Sequence, residues 1–211
     1  MGELLNNFYV GRILFIIVLG SISLSIRDNL LKRDNINLKD KIKFKNIDIK
    51  FLLEMLFLSF ILRILFEQLI SITNIEQTTS VVPSNILEIF MEILATVIFA
   101  PIFEEIIFRF GLYEKLNKKL NYIIAMVITS IIFALLHFYK LDGILILPII
   151  SFIWNYAYYK CDNLIYPIIL HFSHNIYALS SNLIDNYIFN LTWVIISLIG
   201  YIILYVKKRR I

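Results

Sequence analysis

Seven apolar stretches dictate what this chain can fold into: Phe8 to Ile26, Phe51 to Ile72, Ile86 to Phe110, Tyr122 to Tyr139, Ile144 to Tyr159, Leu164 to Leu183 and Tyr187 to Val206. A helix rising about 1.5 Å per residue needs roughly 20 residues to cross a hydrocarbon layer of about 30 Å. In lipid the backbone must satisfy its own polar groups, so each stretch reads as a helix. Crossings at that rate consume the 211 residues and leave no room for a separate soluble domain. The 59% hydrophobic and 17% charged content agrees, as does a mean hydropathy of +0.78. The expected fold is all-α: a polytopic transmembrane helix bundle of about seven spans, with residues 1–211 as one integral membrane domain. The fifth stretch is short and holds Pro148, so a re-entrant or broken helix is an alternative there. No basic segment precedes the first stretch, which is therefore read as a span rather than a leader.

Charge sets the expected orientation. Of the 20 Lys and Arg, eight lie in 27–50, three in 111–121, one is Lys160 and four are Lys207, Lys208, Arg209 and Arg210. In a seven-span chain these share one side, and Lys140 stands alone in the opposite loops. The positive-inside rule then puts the C-terminus in the cytoplasm. The abundant Ile, Asn and Lys hint at an AT-rich genome, and a bacterial cell membrane is the expected location. The basic loops serve topology and contact with the lipid bilayer, so no nucleic-acid partner is expected. Cys161 is the sole cysteine, which excludes an internal disulfide and any multi-cysteine metal cluster.

Ionisable groups inside spans are costly unless they face a protein interior or a cavity, and they mark function by default. The third stretch carries Glu104, Glu105 and Arg109, the fourth contains His137, and the sixth holds His171, His174 and Asn175. All three histidines thus fall in apolar stretches. Glu105 and Arg109 are i, i+4 and share a helix face, so they are expected to pair. Glu104 points about 100° away and lacks that partner, as suits a general base. Pro101, one turn earlier, is expected to kink the helix or free carbonyls. Glu104 and His137 are equidistant from a turn near Leu120 and should meet in an antiparallel hairpin. His171 and Asn175 lie one turn apart, about 15 to 21 Å from the Cys161 loop. Arg63 and Glu67 read as an i, i+4 pair, Glu88 and Glu92 as groups toward the outer end of their span, with a water path to the site as the less favoured alternative, and Trp154 and Trp193 as anchors or packing groups.

Glu-Glu-x-x-x-Arg, then Phe-x-x-x-His, then His-x-x-x-Asn, in order on three apolar helices, resembles the CPBP family of CAAX prenyl proteases and bacteriocin-processing or abortive-infection membrane proteins. The resemblance covers about residues 86–185. It implies an intramembrane endopeptidase with Glu104 activating water, His137 assisting, His171 and Asn175 steadying the oxyanion, and Glu105 with Arg109 in support. The glycine that usually follows the motif arginine is displaced here to Gly111, after Phe110, which bears on where the helix ends.

The residues themselves point the same way. Peptide hydrolysis needs a base for water, a proton donor for the leaving amine and donors for the oxyanion. Neither Gly-x-Ser-x-Gly nor His-Glu-x-x-His occurs. For cofactors, Glu104, His137 and His171 would make a His, His, carboxylate zinc set, with His174 as a further ligand or a supporting group. The metal-free route is favoured, because His-x-x-x-Asn suits an oxyanion hole better than a ligand pair. The expected partner is a hydrophobic or membrane-associated peptide or protein substrate. A non-catalytic bacteriocin-immunity or binding protein of the same fold is the alternative. A proton-coupled transporter is disfavoured by the absence of repeated halves.

Overall fold

The computed structural model describes residues 2–72, 83–137, 141–183 and 187–208. They form seven helical rods: α1 (Gly2–Asp34), α2 (Ile49–Ile72), α3 (Ile86–Asn117), α4 (Tyr122–Leu135), α5 (Leu141–Cys161), α6 (Ile165–Leu183) and α7 (Tyr187–Lys208). Among the described residues there is no strand. Phe8–Asp34, Ile86–Asn117 and Ile144–Cys161 are long and apolar enough to cross a membrane, and Tyr122–Leu135 is apolar but shorter. The all-α membrane bundle is as expected. Among the described residues these three rods satisfy length and composition unaided, whereas α2 carries Lys50, Glu54, Arg63 and Glu67, and α6 carries His171, His174 and Asn175.

Several boundaries differ from the sequence reading, among them that of α1, which runs from Gly2 to Asp34 rather than from Phe8 to Ile26. Rod α4 stops at Leu135, so His137 sits in the turn beyond it rather than inside the helix. Rod α5 runs unbroken across Pro148 from Leu141 to Cys161, so the short fifth stretch is a full helix. Rod α3 continues past Phe110 to Asn117. Tyr139, Lys140, Arg209 and Arg210 lie outside the described residues.

Rod α3 is the hub. Its second half buries Ile106, Phe108, Arg109, Phe110, Gly111 and Tyr113. It alternates α turns with two π-helical stretches, Ile93–Phe99 and Ile106–Tyr113. In the first, Ala100 N–H bonds to the Ala95 carbonyl, five residues back. The wider turn falls directly before Pro101, where a ring and a missing N–H disturb the α ladder. Gly111 allows α1 to approach: a Cβ there would lie 2.9 Å from Ile26 Cγ2. The displaced motif glycine therefore serves close packing, and the helix does not exit at it. Ser23 of α1 donates to the Phe103 carbonyl at 3.1 Å, next to the glutamate pair.

Two apolar clusters flank the hub. Phe108, Phe133, Ile150, Trp154 and Leu170 join α3, α4, α5 and α6, and Leu30, Phe110, Met126, Tyr158 and Leu164 close the other end. Ile13, Leu14 and Ile17 of α1, Leu65 and Leu69 of α2 and Ile199 and Ile202 of α7 are exposed. Such a belt faces lipid tails without cost.

At one end the connection from α1 to α2 is tied down. Asn35, at φ 54°, ends α1 in the left-handed conformation that Asn tolerates. Leu164 N–H donates to the Lys41 carbonyl at 2.7 Å, and the Asn163 side chain bonds Lys43 N–H and C=O at 3.1 and 2.8 Å. Lys41 pairs with Asp162 and, at 2.8 Å, with Glu114. Lys118 pairs with Asp34 at 2.8 Å. The loops given to one side by charge counting are thus bonded to one another.

Candidate active site

The site lies where α3, α4, α5 and α6 meet. Glu105 and Arg109 are both wholly buried and pair at 3.0 Å from Oε1 to Nη1, as the i, i+4 spacing predicts. Arg109 Nη2 also donates to Ser151 Oγ at 2.7 Å and to the Ser151 carbonyl at 3.1 Å. The guanidinium centre lies 5.1 Å from the Phe133 ring centroid and 5.5 Å from that of Trp154. An arginine out of water thus has an opposite charge, two neutral acceptors and two aromatic faces as compensation.

His171 of α6 bridges the two glutamates. Its Nδ1 is 2.8 Å from Glu105 Oε1, and its Nε2 is 3.8 Å from Glu104 Oε2. With Glu105 ionised, the carboxylate only accepts, so Nδ1 carries the proton and Nε2 faces Glu104. Trp154 stacks on the imidazole at 4.5 Å and 24°, and Phe133 meets it edge-on at 5.7 Å. The ring has one orientation open to it.

His137 reaches Glu104 from the other side. Its Nδ1 lies 2.8 Å from the Phe133 carbonyl, one of the acceptors that the end of α4 leaves without an intrahelical donor. A carbonyl also only accepts, so Nδ1 again carries the proton. His137 Nε2 then lies 3.9 Å from Glu104 Oε2. The expected hairpin contact is present. Glu104 Oε2 itself is buried and accepts no hydrogen bond from the described protein. Two imidazole Nε2 atoms therefore converge on a carboxylate oxygen that nothing else ties down.

Other sequence candidates go elsewhere. Asn175 Nδ2 donates to the Thr96 carbonyl at 2.7 Å. His174 turns to α2: its Nε2 is 2.9 Å from Ser59 Oγ, its ring stacks on Phe60 at 4.4 Å, and Arg63 Nη1 donates to its carbonyl at 3.1 Å. Arg63 pairs with Glu67 at 2.8 Å, and Glu67 accepts from Tyr177 Oη at 2.8 Å. Glu92 pairs with Arg12 at 2.6 Å, and Glu88 accepts from Ser84 N–H at 2.7 Å. Both are engaged at their own end of α3. Ser151 and Trp154 were not singled out for the site by sequence. The available signal was Ser151-x-x-Trp154-Asn155, polar and aromatic groups at i, i+3 and i+4 on one face of an apolar helix.

As zinc ligands, Glu104, His137 and His171 supply apt donors, two of them oriented from behind. Their placement does not complete a set: among the described residues no three His, Cys, Asp or Glu side chains are gathered so as to hold a metal ion.

Residues 86–177, which contain this whole arrangement, match the family model described as Rce1-like, type II CAAX prenyl endopeptidase. Over this core the chain is similar to the CAAX-protease family. No curated protein and no solved structure matches. The family match begins at the first residue of α3 and ends within α6. The CAAX-protease-like core is thus the four rods that build the site, and α1, α2 and α7 are its surround.

Proposed function

We propose that this chain, similar in its core to the CAAX-protease family, is an intramembrane endopeptidase that cuts a hydrophobic or membrane-associated peptide, with Glu104 as the base. The observation that carries the reading is the approach of two imidazole Nε2 atoms to Glu104 Oε2, at 3.9 and 3.8 Å. Those gaps exceed a direct hydrogen bond and suit one intervening water.

In this scheme Glu104 takes a proton from water, and the hydroxide oxygen bonds to the scissile carbonyl carbon. The carbonyl π electrons move to oxygen, giving a tetrahedral oxyanion. His171 faces it at Nε2. As imidazolium it donates there while Glu105 balances its charge at Nδ1, and Arg109 with Ser151 holds Glu105 in place. When the carbon–nitrogen bond breaks, the proton held by Glu104 passes to the leaving amine, with His137 Nε2 beside it as relay. The products are a carboxylic acid and an amine, and Glu104 is left ionised again; the acid then passes its proton to the amine, giving carboxylate and ammonium. No step passes through a metal.

Comparative proteomics of membranes from cells making the wild type or Glu104→Gln tests the assignment. A cleavage product present only with the wild type is expected. Identical peptide profiles, together with full protection by Glu104→Gln in any assay of immunity, would replace the enzyme by a binding protein. Activity is also expected to survive chelation. A stoichiometric metal lost on His171→Ala would overturn the metal-free scheme and leave the peptidase assignment standing.

A further inference from the structure

The backbone of α3 has one carbonyl whose hydrogen bond is broken by its own sequence. The π-helical stretch Ile93–Phe99 ends where Ala100 N–H takes the Ala95 carbonyl, five residues back. The next carbonyl is that of Thr96. Its partner in the same register is residue 101, a proline, which has no N–H. Its partner in α register is Ala100 N–H, which is already on Ala95. The side chain of Asn175, on the neighbouring rod α6, donates to this carbonyl at 2.7 Å. In a membrane an unmatched carbonyl has no water to turn to, so the side-chain donor carries the whole burden.

The position of this bond matters. On α3 it lies between the outer half and the short α turn Ala100–Glu105 that presents both glutamates. On α6 it lies one helical turn beyond His171. It therefore ties the segment that carries Glu104 to the segment that carries His171, at the point where α3 is least able to hold itself. We propose that Asn175 is a positioning residue, a latch on the carbonyl orphaned by Pro101 that holds Glu104 opposite His171. The oxyanion role implied by resemblance instead requires the amide to face the reacting atoms. As a statement about turnover the latch rests on the peptidase reading; as a statement about the fold it does not.

A double-mutant cycle separates the two roles, because Pro101→Ala returns an N–H to α3 and makes the latch redundant. In the Pro101 protein, Asn175→Ala is expected to lower kcat about 100-fold, the scale of a small misplacement of reacting groups. In the Pro101→Ala background the same change is expected to cost less than about 3-fold, since coupled sites do not add. An oxyanion contact would give the same loss in both backgrounds, and that result overturns the latch. The cycle is repeated as thermal unfolding of detergent-solubilised Glu104→Gln protein, which needs no turnover. There Asn175→Ala is expected to lower the midpoint only while Pro101 is present, and equal shifts in both backgrounds, zero included, overturn the proposal. If Asn175→Ala alone does not fold, the pair with Pro101→Ala is expected to restore folded protein, and its failure to do so also counts against the latch. Loss of peptidase activity as a property of the protein would leave the unfolding cycle to decide.

Discussion

At the scale of single residues, adjacent glutamates have opposite surroundings. Glu105 is bonded to Arg109 and His171 and is wholly buried, whereas Glu104 Oε2 receives no hydrogen bond from the described protein. Replacing each by glutamine keeps shape and removes charge. Glu104→Gln is expected to fold with wild-type stability and to lose turnover. Glu105→Gln is expected to lose stability, by about 3 to 5 kcal/mol if the uncompensated Arg109 stays buried. Unfolding by denaturant in detergent measures both, and an unstable Glu104→Gln beside a stable, inactive Glu105→Gln would reverse the roles. The i, i+4 spacing made the Glu105–Arg109 pair legible in advance. The bond from His171 to Glu105 was not, because helix periodicity is silent on how a separate rod is rotated.

At the scale of elements, α3 depends on close contact with α1 and on the tied-down connection that follows α1. A Cβ at Gly111 meets Ile26 Cγ2 at 2.9 Å and the Ile106 carbonyl at 3.3 Å. Gly111→Ala is therefore expected to destabilise by about 1 to 3 kcal/mol, and Ile26→Ala in the same chain to recover part of that loss. No recovery in thermal unfolding would mean that α1 is not the obstacle.

The connection itself responds to pH. Burial pushes the Asp162 carboxyl up, but hydrogen bonds from Lys41 and Lys43 outweigh it and hold the group below its ordinary 3.8. Burial likewise pulls the Lys41 ammonium down, and its bonds to Asp162 and Glu114 outweigh that and raise it above 10.5. A lowered carboxylate stabilises the fold above its unfolded value and loses that contribution as pH falls through the folded one. A raised ammonium does so below its unfolded value and loses it as pH rises through the folded one. The clamp is thus expected to hold across the neutral range and to loosen only in strong acid or strong alkali. Limited proteolysis between 35 and 48 reads this directly. Asp162→Asn should admit the protease at neutral pH, and equal cleavage of both proteins there would remove the clamp from the account.

At the scale of the whole molecule, the basic loops are joined at one end by Lys41–Glu114 and Lys118–Asp34, both at 2.8 Å. One face of the bundle therefore gathers positive charge, and the expected orientation turns that face to the cytoplasm. A cysteine probe near Lys41 and a tag after Arg210 should be labelled only when the membrane is permeabilised. Labelling of either in intact cells would invert the molecule.

Whatever repeats within a helix or across a short turn was legible in the sequence. Seven apolar runs announced the rods, the i, i+4 rule paired Glu105 with Arg109 and Arg63 with Glu67, and equal distances from Leu120 brought His137 to Glu104. The tertiary structure alone decided the rest. It put His171 between two glutamates, placed Ser151 and Trp154 behind Arg109 and His171, and turned His174 toward α2. It also gave the Asn175 amide to a backbone carbonyl of α3. The physical reason is that local spacing fixes which residues share a face, whereas the rotation and depth of one rod against another come from packing summed over all their neighbours, and no single stretch of sequence contains that sum.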